Sequence, residues 1–202
     1  MVRSVQGESF GQYSERGSKF LAHLFPIGNE DAFFSRLEAL HREHHASRHL
    51  CWAFRLPDME RFSDAGEPRG TAGPPLLNLL SGLDLLLAGL IVVRYFGGVK
   101  LGTGNLARAY RTAGEEAVAG AHLILITEQI DMILHSTPAQ VGEIFSLLDR
   151  LKIQIIDQAY SPAPRIWIRV ESSRMDEVID GFKARGLQFE RGGRAYHPVK
   201  PS

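Results

Sequence analysis

Disulfide chemistry is excluded at once, because Cys51 is the only cysteine among 202 residues and one thiol cannot close an intramolecular bridge, which fits a reducing compartment. Charge of one sign is missing too. Lys plus Arg and Asp plus Glu both number 23, so no global field draws the protein to nucleic acid or anionic lipid, and any such binding must come from a local patch. Long hydrophobic runs are also absent: the longest, residues 85–93, falls far short of the about 20 residues that span a bilayer. The opening MVRSVQGESF has no apolar core of a secretory signal. These absences lead us to expect a soluble, cytoplasmic protein with no membrane contact.

What is present is ordinary globular material. Hydrophobic residues make up 44% and charged residues 23%, which excludes disordered and fibrous classes. The length suits two small α+β domains, each with its own core. Phe20, Ala22 and Leu24 alternate as in a strand, and Asn29 precedes Phe33, Leu37 and Leu40 at helical spacing. HLCWAFRL reads as a second strand. Residues 55–75 have no sustained period and read as a long loop, functional or disordered. Pro74 and Pro75 then open a short helix over residues 76–80 that ends at Gly82. LLLAGLIVVRYF is apolar enough for a strand buried on both faces.

The second half predicts β-α-β-β-α-β, the ferredoxin-like order. One helix opens at Thr137 with Pro138 and Gln140, and the other at a capping box of Ser173 and Asp176. Gly186 closes the latter, ahead of a last strand at residues 187–190. The expected domains are residues 1–122 and 123–202.

RYFGGVKLGTGNLARAY, residues 94–110, invites a phosphate-binding reading. A Walker loop needs G-x-x-x-x-G-K-S/T, but Thr103 and Gly104 follow Gly102, so that chemistry fails. Gly102, Gly104 and Ala107 satisfy G-x-G-x-x-G/A without a βαβ unit around them, a weak signal. The glycines read first as backbone architecture. An anion held by free N–H groups at the start of the next helix, near Arg94, Lys100 and Arg108, is compatible with that.

The same stretch resembles the signature of the IMPACT family in its bacterial, YigZ-like form. HHASRHLCWAF and FSDAGEPRGTAGPP resemble two further family blocks, in the same order, so the resemblance spans about residues 17–120. It implies an N-terminal domain like the second domain of a small-subunit ribosomal protein, followed by a small ferredoxin-like domain. It also implies association with the translation machinery or RNA. The family positions carried over are Ser63, Asp64, Glu67 and Thr71 in the acidic block, and Arg94, Tyr95, Gly97, Gly98, Lys100, Gly102, Thr103, Gly104 and Arg108 in the glycine block. Ala65 stands where the family usually has a second aspartate, Pro74 where a lysine is common, and Asn105 where another glycine is usual. Asn105 suits a turn with positive φ.

Three further chemistries compete. Asp64, Glu67 and Lys100 could form a hydrolytic or phosphoryl-handling site, against their use in caps and ion pairs with Arg61, Arg69 or Arg94. His41, His44, His45, His49 and Cys51 lack metal-ligand spacing and read as a basic helix end plus packed side chains. In the second domain, Ile166, Ile168 and Val170 should face the helices, which leaves Arg165, Trp167 and Arg169 on the open side. There they either bind nucleic acid or let Trp167 pack on the first domain or a partner subunit. The expectation is a non-enzymatic regulatory or binding protein linked to translation, without cofactor or metal. The alternative is a small enzyme at Asp64, Glu67 and Lys100.

Overall fold

A computed structural model describes residues 2–199. Met1 and residues 200–202, the outer ends of the two expected domains, lie outside the described residues. The chain divides into two compact units, Val2–Leu125 and a second beginning at Ile126.

The first unit contains β1 (Val2–Val5), β2 (Ser9–Glu15), β3 (Ser18–Pro26), α1 (Glu30–Glu43), β4 (His49–Leu56), β5 (Met59–Ser63), α2 (Gly73–Gly82), β6 (Ala88–Tyr95) and α3 (Thr103–Ala119). Its antiparallel sheet runs β2-β3-β6-β4-β5. Strand alternation sorts the core into two layers. Phe20, Ala22, Cys51, Ala53, Leu90 and Val92 meet α2 and α3, while Leu50, Phe54, Ile91 and Val93 meet Phe33, Leu37 and Leu40 of α1. β6, with neighbours on both edges and helices on both faces, is buried over all but its last residue. This is why its sequence shows no alternation.

β7 (Leu123–His135) begins three residues before the boundary, and the second unit continues with α4 (Val141–Arg150), β8 (Gln154–Ala159), β9 (Arg165–Glu171), α5 (Met175–Lys183) and β10 (Gln188–Pro198). β10, β7, β9 and β8 pair antiparallel in that order. Met132, Leu134, Ile166, Ile168 and Val170 pack on Ile144, Leu147 and Leu148 of α4 and on Val178, Ile179 and Phe182 of α5.

Four sequence expectations need correction. Residues 55–75 are not structureless: β5 pairs with β4 across a two-residue turn, Leu56 opposite Met59. Its side chains are nearly all exposed, so an edge strand left no apolar period to read. β1 and β2 were likewise not expected, and β2 carries a glycine at Gly11, pressed against the α3 backbone, where strands usually place a side chain. Ser173 and Asp176 form no capping box, since α5 begins at Met175 after a short 3-10 turn and has no side-chain cap among the described residues. The last strand extends to Pro198, with its register broken between Arg191 and Arg194 at a glycine pair. The cap at Asn29 does form, and at Thr137 the Gln140 side chain reaches back to accept from the Thr137 N–H at 3.0 Å.

Candidate functional site

The segment between β6 and α3 is shaped by two glycine requirements. A Cβ on Gly97 would lie 1.9 Å from the carbonyl carbon of Gly17, so the β2–β3 turn can seat only on a bare backbone. Gly102, with φ +78, lets the chain reverse into α3 from the left-handed region that side chains avoid. Asn105, expected in a turn, instead lies within the first turn of α3, where its Nδ2 donates to the carbonyl of Leu101 at 3.1 Å. The positive φ falls at Ala65, Gly66 and Gly70 in the acidic block, and at Gly98 and Gly102 here.

Most of the acidic block is engaged in holding the fold. Both carboxylate oxygens of Asp64 accept backbone hydrogen bonds: Oδ2 from Gly70 at 2.8 Å, and Oδ1 from Ala72 and Gly73 at 2.9 Å each. Partial burial opposes its charge, but these three N–H groups and nearby Arg69 outweigh that and hold the carboxyl below its usual range. Asp64 thus supplies from a distance the cap that Ala72 cannot give α2. Ser63 accepts from the Ala65 N–H at 3.1 Å, and Thr71 donates to the carbonyl of Pro68 at 2.6 Å.

Glu67 turns inward. Its Oε1 accepts from Arg94 Nη1 at 2.6 Å and from the Tyr110 hydroxyl at 2.8 Å. Tyr110 accepts in turn from Cys51 Sγ at 3.2 Å, and Arg94 Nη2 donates to Ser18 Oγ at 3.4 Å. Burial raises the Tyr110 hydroxyl and pushes the Cys51 thiol up to about 12, so both stay protonated. The guanidinium of Arg94 sits 5.4 Å from the centres of both the Phe20 and Phe96 rings.

Beside this pair opens a cavity of about 390 Å³ whose wall includes Arg48, His49, Glu67, Lys100, Gly102 and Thr103. His49 donates from Nδ1 to the carbonyl of Ala65 at 2.9 Å, since a carbonyl can only accept, and Nε2 has no hydrogen-bond partner among the described residues. Neither Arg48 nor Lys100 has an ion-pair partner among the described residues, whereas the charge of Glu67 is met by Arg94. The wall is therefore cationic within a chain of zero net charge.

Of the residues picked from the sequence, Glu67, Arg94, Lys100, Gly102 and Thr103 come together on this wall. Tyr95 does not. It points to the α1 face, where its hydroxyl meets His44 Nδ1 at 2.8 Å. Arg108 and Gly104 lie on α3 and Gly98 on the loop, none of them on the wall. Arg48, His49 and Phe96 were missed as site residues. Arg48 and His49 sit in the HHASRHLCWAF block and Phe96 in the glycine stretch, but what brings His49 to the site is its register opposite Arg94 on the adjoining strand, which only the structure shows.

The metal candidates separate, with His44 beside Tyr95, His49 on Ala65 and Cys51 under Tyr110. In the second unit Arg165 stands 5.7 Å over the Trp167 ring, but Arg169 grips Asp131 with two hydrogen bonds of 2.7 and 2.9 Å. A larger hollow of about 770 Å³ there has Arg169, Arg174 and His197 on its wall. Burial and Arg169 disfavour the charged form of His197.

The Impact N-terminal domain family matches residues 16–118, which hold the whole cavity wall. The chain belongs to the IMPACT family. Among bacterial IMPACT members, it is 37% identical to one from Thermus thermophilus over 72% of this chain and 79% of that protein. It is 33% identical to a member from Haemophilus influenzae over 86% and 83%, and 31% identical to YigZ of Escherichia coli over 87% and 86%. Among solved structures, a protein described as hypothetical matches at TM-score 0.67 and 26% identity, covering 93% of this chain and 95% of its own. A crystal structure of a Thermus thermophilus protein matches in fold alone, at TM-score 0.52 and 12% identity over 99% of this chain and 30% of that one. Among the described residues no helix is long and apolar enough to cross a membrane.

Proposed function

We propose that this IMPACT protein is a non-enzymatic binding protein that associates with the translation machinery or RNA through the cationic cavity of its first unit. The observation that carries this reading is the pairing pattern of the wall: Glu67 and Arg94 neutralise each other, and Arg48 and Lys100 are left without ion-pair partners among the described residues. Such a patch provides the local field that the net charge lacks, and a field of this kind attracts phosphate. The hydrolytic alternative has weaker support, since both oxygens of Asp64 accept structural backbone bonds and Oε1 of Glu67 serves Arg94 and Tyr110.

We infer further that the second unit is ferredoxin-like, a reading supported by its β-α-β-β-α-β order and by strands ordered β10-β7-β9-β8. The first unit takes the ribosomal-protein second-domain fold implied by the family resemblance. A cytoplasmic location fits the single buried thiol.

The test is co-sedimentation with ribosomes and separated subunits at low and moderate salt, comparing the wild type with an Arg48→Ala, Lys100→Ala double variant. Saturable binding that the variant loses supports the reading. Absence of binding at both salt concentrations, or binding unchanged in the variant, removes it.

A further inference from the structure

We propose that the cavity of the first unit is a site for a phosphate monoester, with the phosphate at the start of α3 and the rest of the molecule against Phe96. Its location rests on the binding reading above; the ligand class goes beyond it.

The anion end is built from backbone. α3 is 17 residues long, and its N-cap is Gly102, which has no side chain to offer. The N–H groups of Thr103, Gly104 and Asn105 have no capping partner among the described residues. They carry the positive end of the helix dipole. Among the described residues nothing lies within 4 Å of where a Cβ would stand on Gly102 or Gly104, so this backbone is open to approach. Of these residues Thr103 stands on the cavity wall, and Gly104 and Asn105 follow it in the first turn of α3.

Side chains reinforce the same point. Lys100 and Arg48 share the wall with Gly102 and Thr103. Arg94, only 5% exposed, lines the cavity and leaves its Nε–H without a partner among the described residues. No carboxylate on the wall opposes an anion, because the charge of Glu67 is met by Arg94.

The remainder of the cavity calls for a larger molecule than phosphate. Its about 390 Å³ lies within the roughly 300–1,000 Å³ of small-molecule sites. Phe96, Leu101 and Leu106 give it an apolar side, and Phe96 is 43% exposed. Glu67 Oε2, which has no partner among the described residues, can accept from a hydroxyl or amino group. A flat, donor-bearing monoester such as a nucleoside monophosphate meets all three demands. It can arrive as a free compound or as the 5′ end of an RNA.

The experiment is calorimetry together with amide NMR on the full chain. The probes are inorganic phosphate, a nucleoside 5′-monophosphate, the parent nucleoside, and one short RNA with either a 5′-phosphate or a 5′-hydroxyl. The monophosphate should bind saturably and shift the amides of Thr103, Gly104 and Asn105. Loss of the phosphate, or Lys100→Ala, should weaken binding about tenfold or more. Phe96→Ala should weaken the monophosphate while sparing inorganic phosphate. Tighter binding of the 5′-phosphate RNA than of the free monophosphate identifies an RNA end as the source, and the reverse order identifies a free compound. Equal binding of nucleoside and monophosphate, or amide shifts that miss α3, overturns the proposal. Monophosphate binding without ribosome association would leave this site standing and remove the translation reading; ribosome association without monophosphate binding would do the opposite.

Discussion

Glu67 and Arg94 form a buried ion pair, Oε1 to Nη1 at 2.6 Å, with side chains only 4% and 5% exposed. It joins the acidic block to the glycine block, and through Tyr110 and Ser18 it ties α3 and β3 to the same point. Both partners are removed from water, so deleting one leaves the other charged and unpaired. Glu67→Ala should therefore destabilise the fold by about 3–5 kcal/mol, read as a lower urea midpoint. Glu67→Gln, which keeps an oxygen to accept from Tyr110 and Arg94, should be milder. A midpoint for Glu67→Ala equal to that of wild type would mean that the pair does not hold the two blocks together.

Asp64 makes stability depend on pH through its three backbone bonds. Its folded carboxyl is held below the unfolded value. The stabilisation is therefore fully present above the ordinary carboxylate range and is lost as pH falls through the lowered folded value. Asp64→Ala should cost about 1–2 kcal/mol at pH 7, the size of a lost helix cap with charge. The gap from wild type should close as the solution is acidified below the carboxylate range. Denaturant titrations of both proteins across that window check it; a gap that is constant with pH would show that the charge of Asp64 contributes nothing.

Much of this was legible in the sequence, because the relevant signals are local. Asn29 and Gln140 serve helix starts through side chains a few residues from their partners, and β6 announced its burial by unbroken apolarity. What escaped depends on distant partners. Asp64 caps a helix eight and nine residues away, and Glu67 meets Arg94 across 27 positions. No spacing rule connects such residues. His49 joins the cavity because β4 lies beside β6, a sheet order that periodicity does not encode. β5 stayed hidden because an exposed edge strand has no buried face to mark it.

Cys51 should be inert while the protein is folded. Its thiol is buried under Tyr110 and pushed up to about 12, so little thiolate forms at neutral pH. A chromogenic disulfide reagent at about pH 8, near the ordinary thiol range, should label it only as fast as the protein opens, and labelling should become complete in denaturant. Stoichiometric labelling within seconds under native conditions would contradict the buried placement.

Two glycines of one block should respond to alanine in opposite ways. At Gly97 a Cβ would meet backbone of the β2–β3 turn at 1.9 Å, which no side-chain rotation relieves. Gly97→Ala should abolish folding or cost more than about 3 kcal/mol, in the range of severe overpacking. Gly104 lies in the first turn of α3, where an added Cβ would meet nothing within 4 Å among the described residues beyond its own helix. Gly104→Ala should stabilise by up to about 0.5–1 kcal/mol by restricting the unfolded chain. Thermal melts of the pair decide this, and equal shifts would show that close approach is not what requires glycine at position 97.

The two units offer competing cationic surfaces, and salt dependence separates them. In the second unit Arg169 is held by Asp131 in a bidentate pair, which leaves Arg165 and Trp167 without the second arginine that a phosphate clamp would need. In the first unit Arg48 and Lys100 are unpaired among the described residues. Trp167→Ala should then leave RNA affinity close to wild type. The Arg48→Ala, Lys100→Ala variant should weaken it and flatten the slope of log affinity against log salt by about 1–2, as expected when up to two phosphate contacts are lost. If Trp167→Ala instead reduces affinity while the double variant keeps the wild-type slope, the binding face is the open side of the second sheet. In that case Asp131→Asn, by freeing Arg169, should strengthen binding.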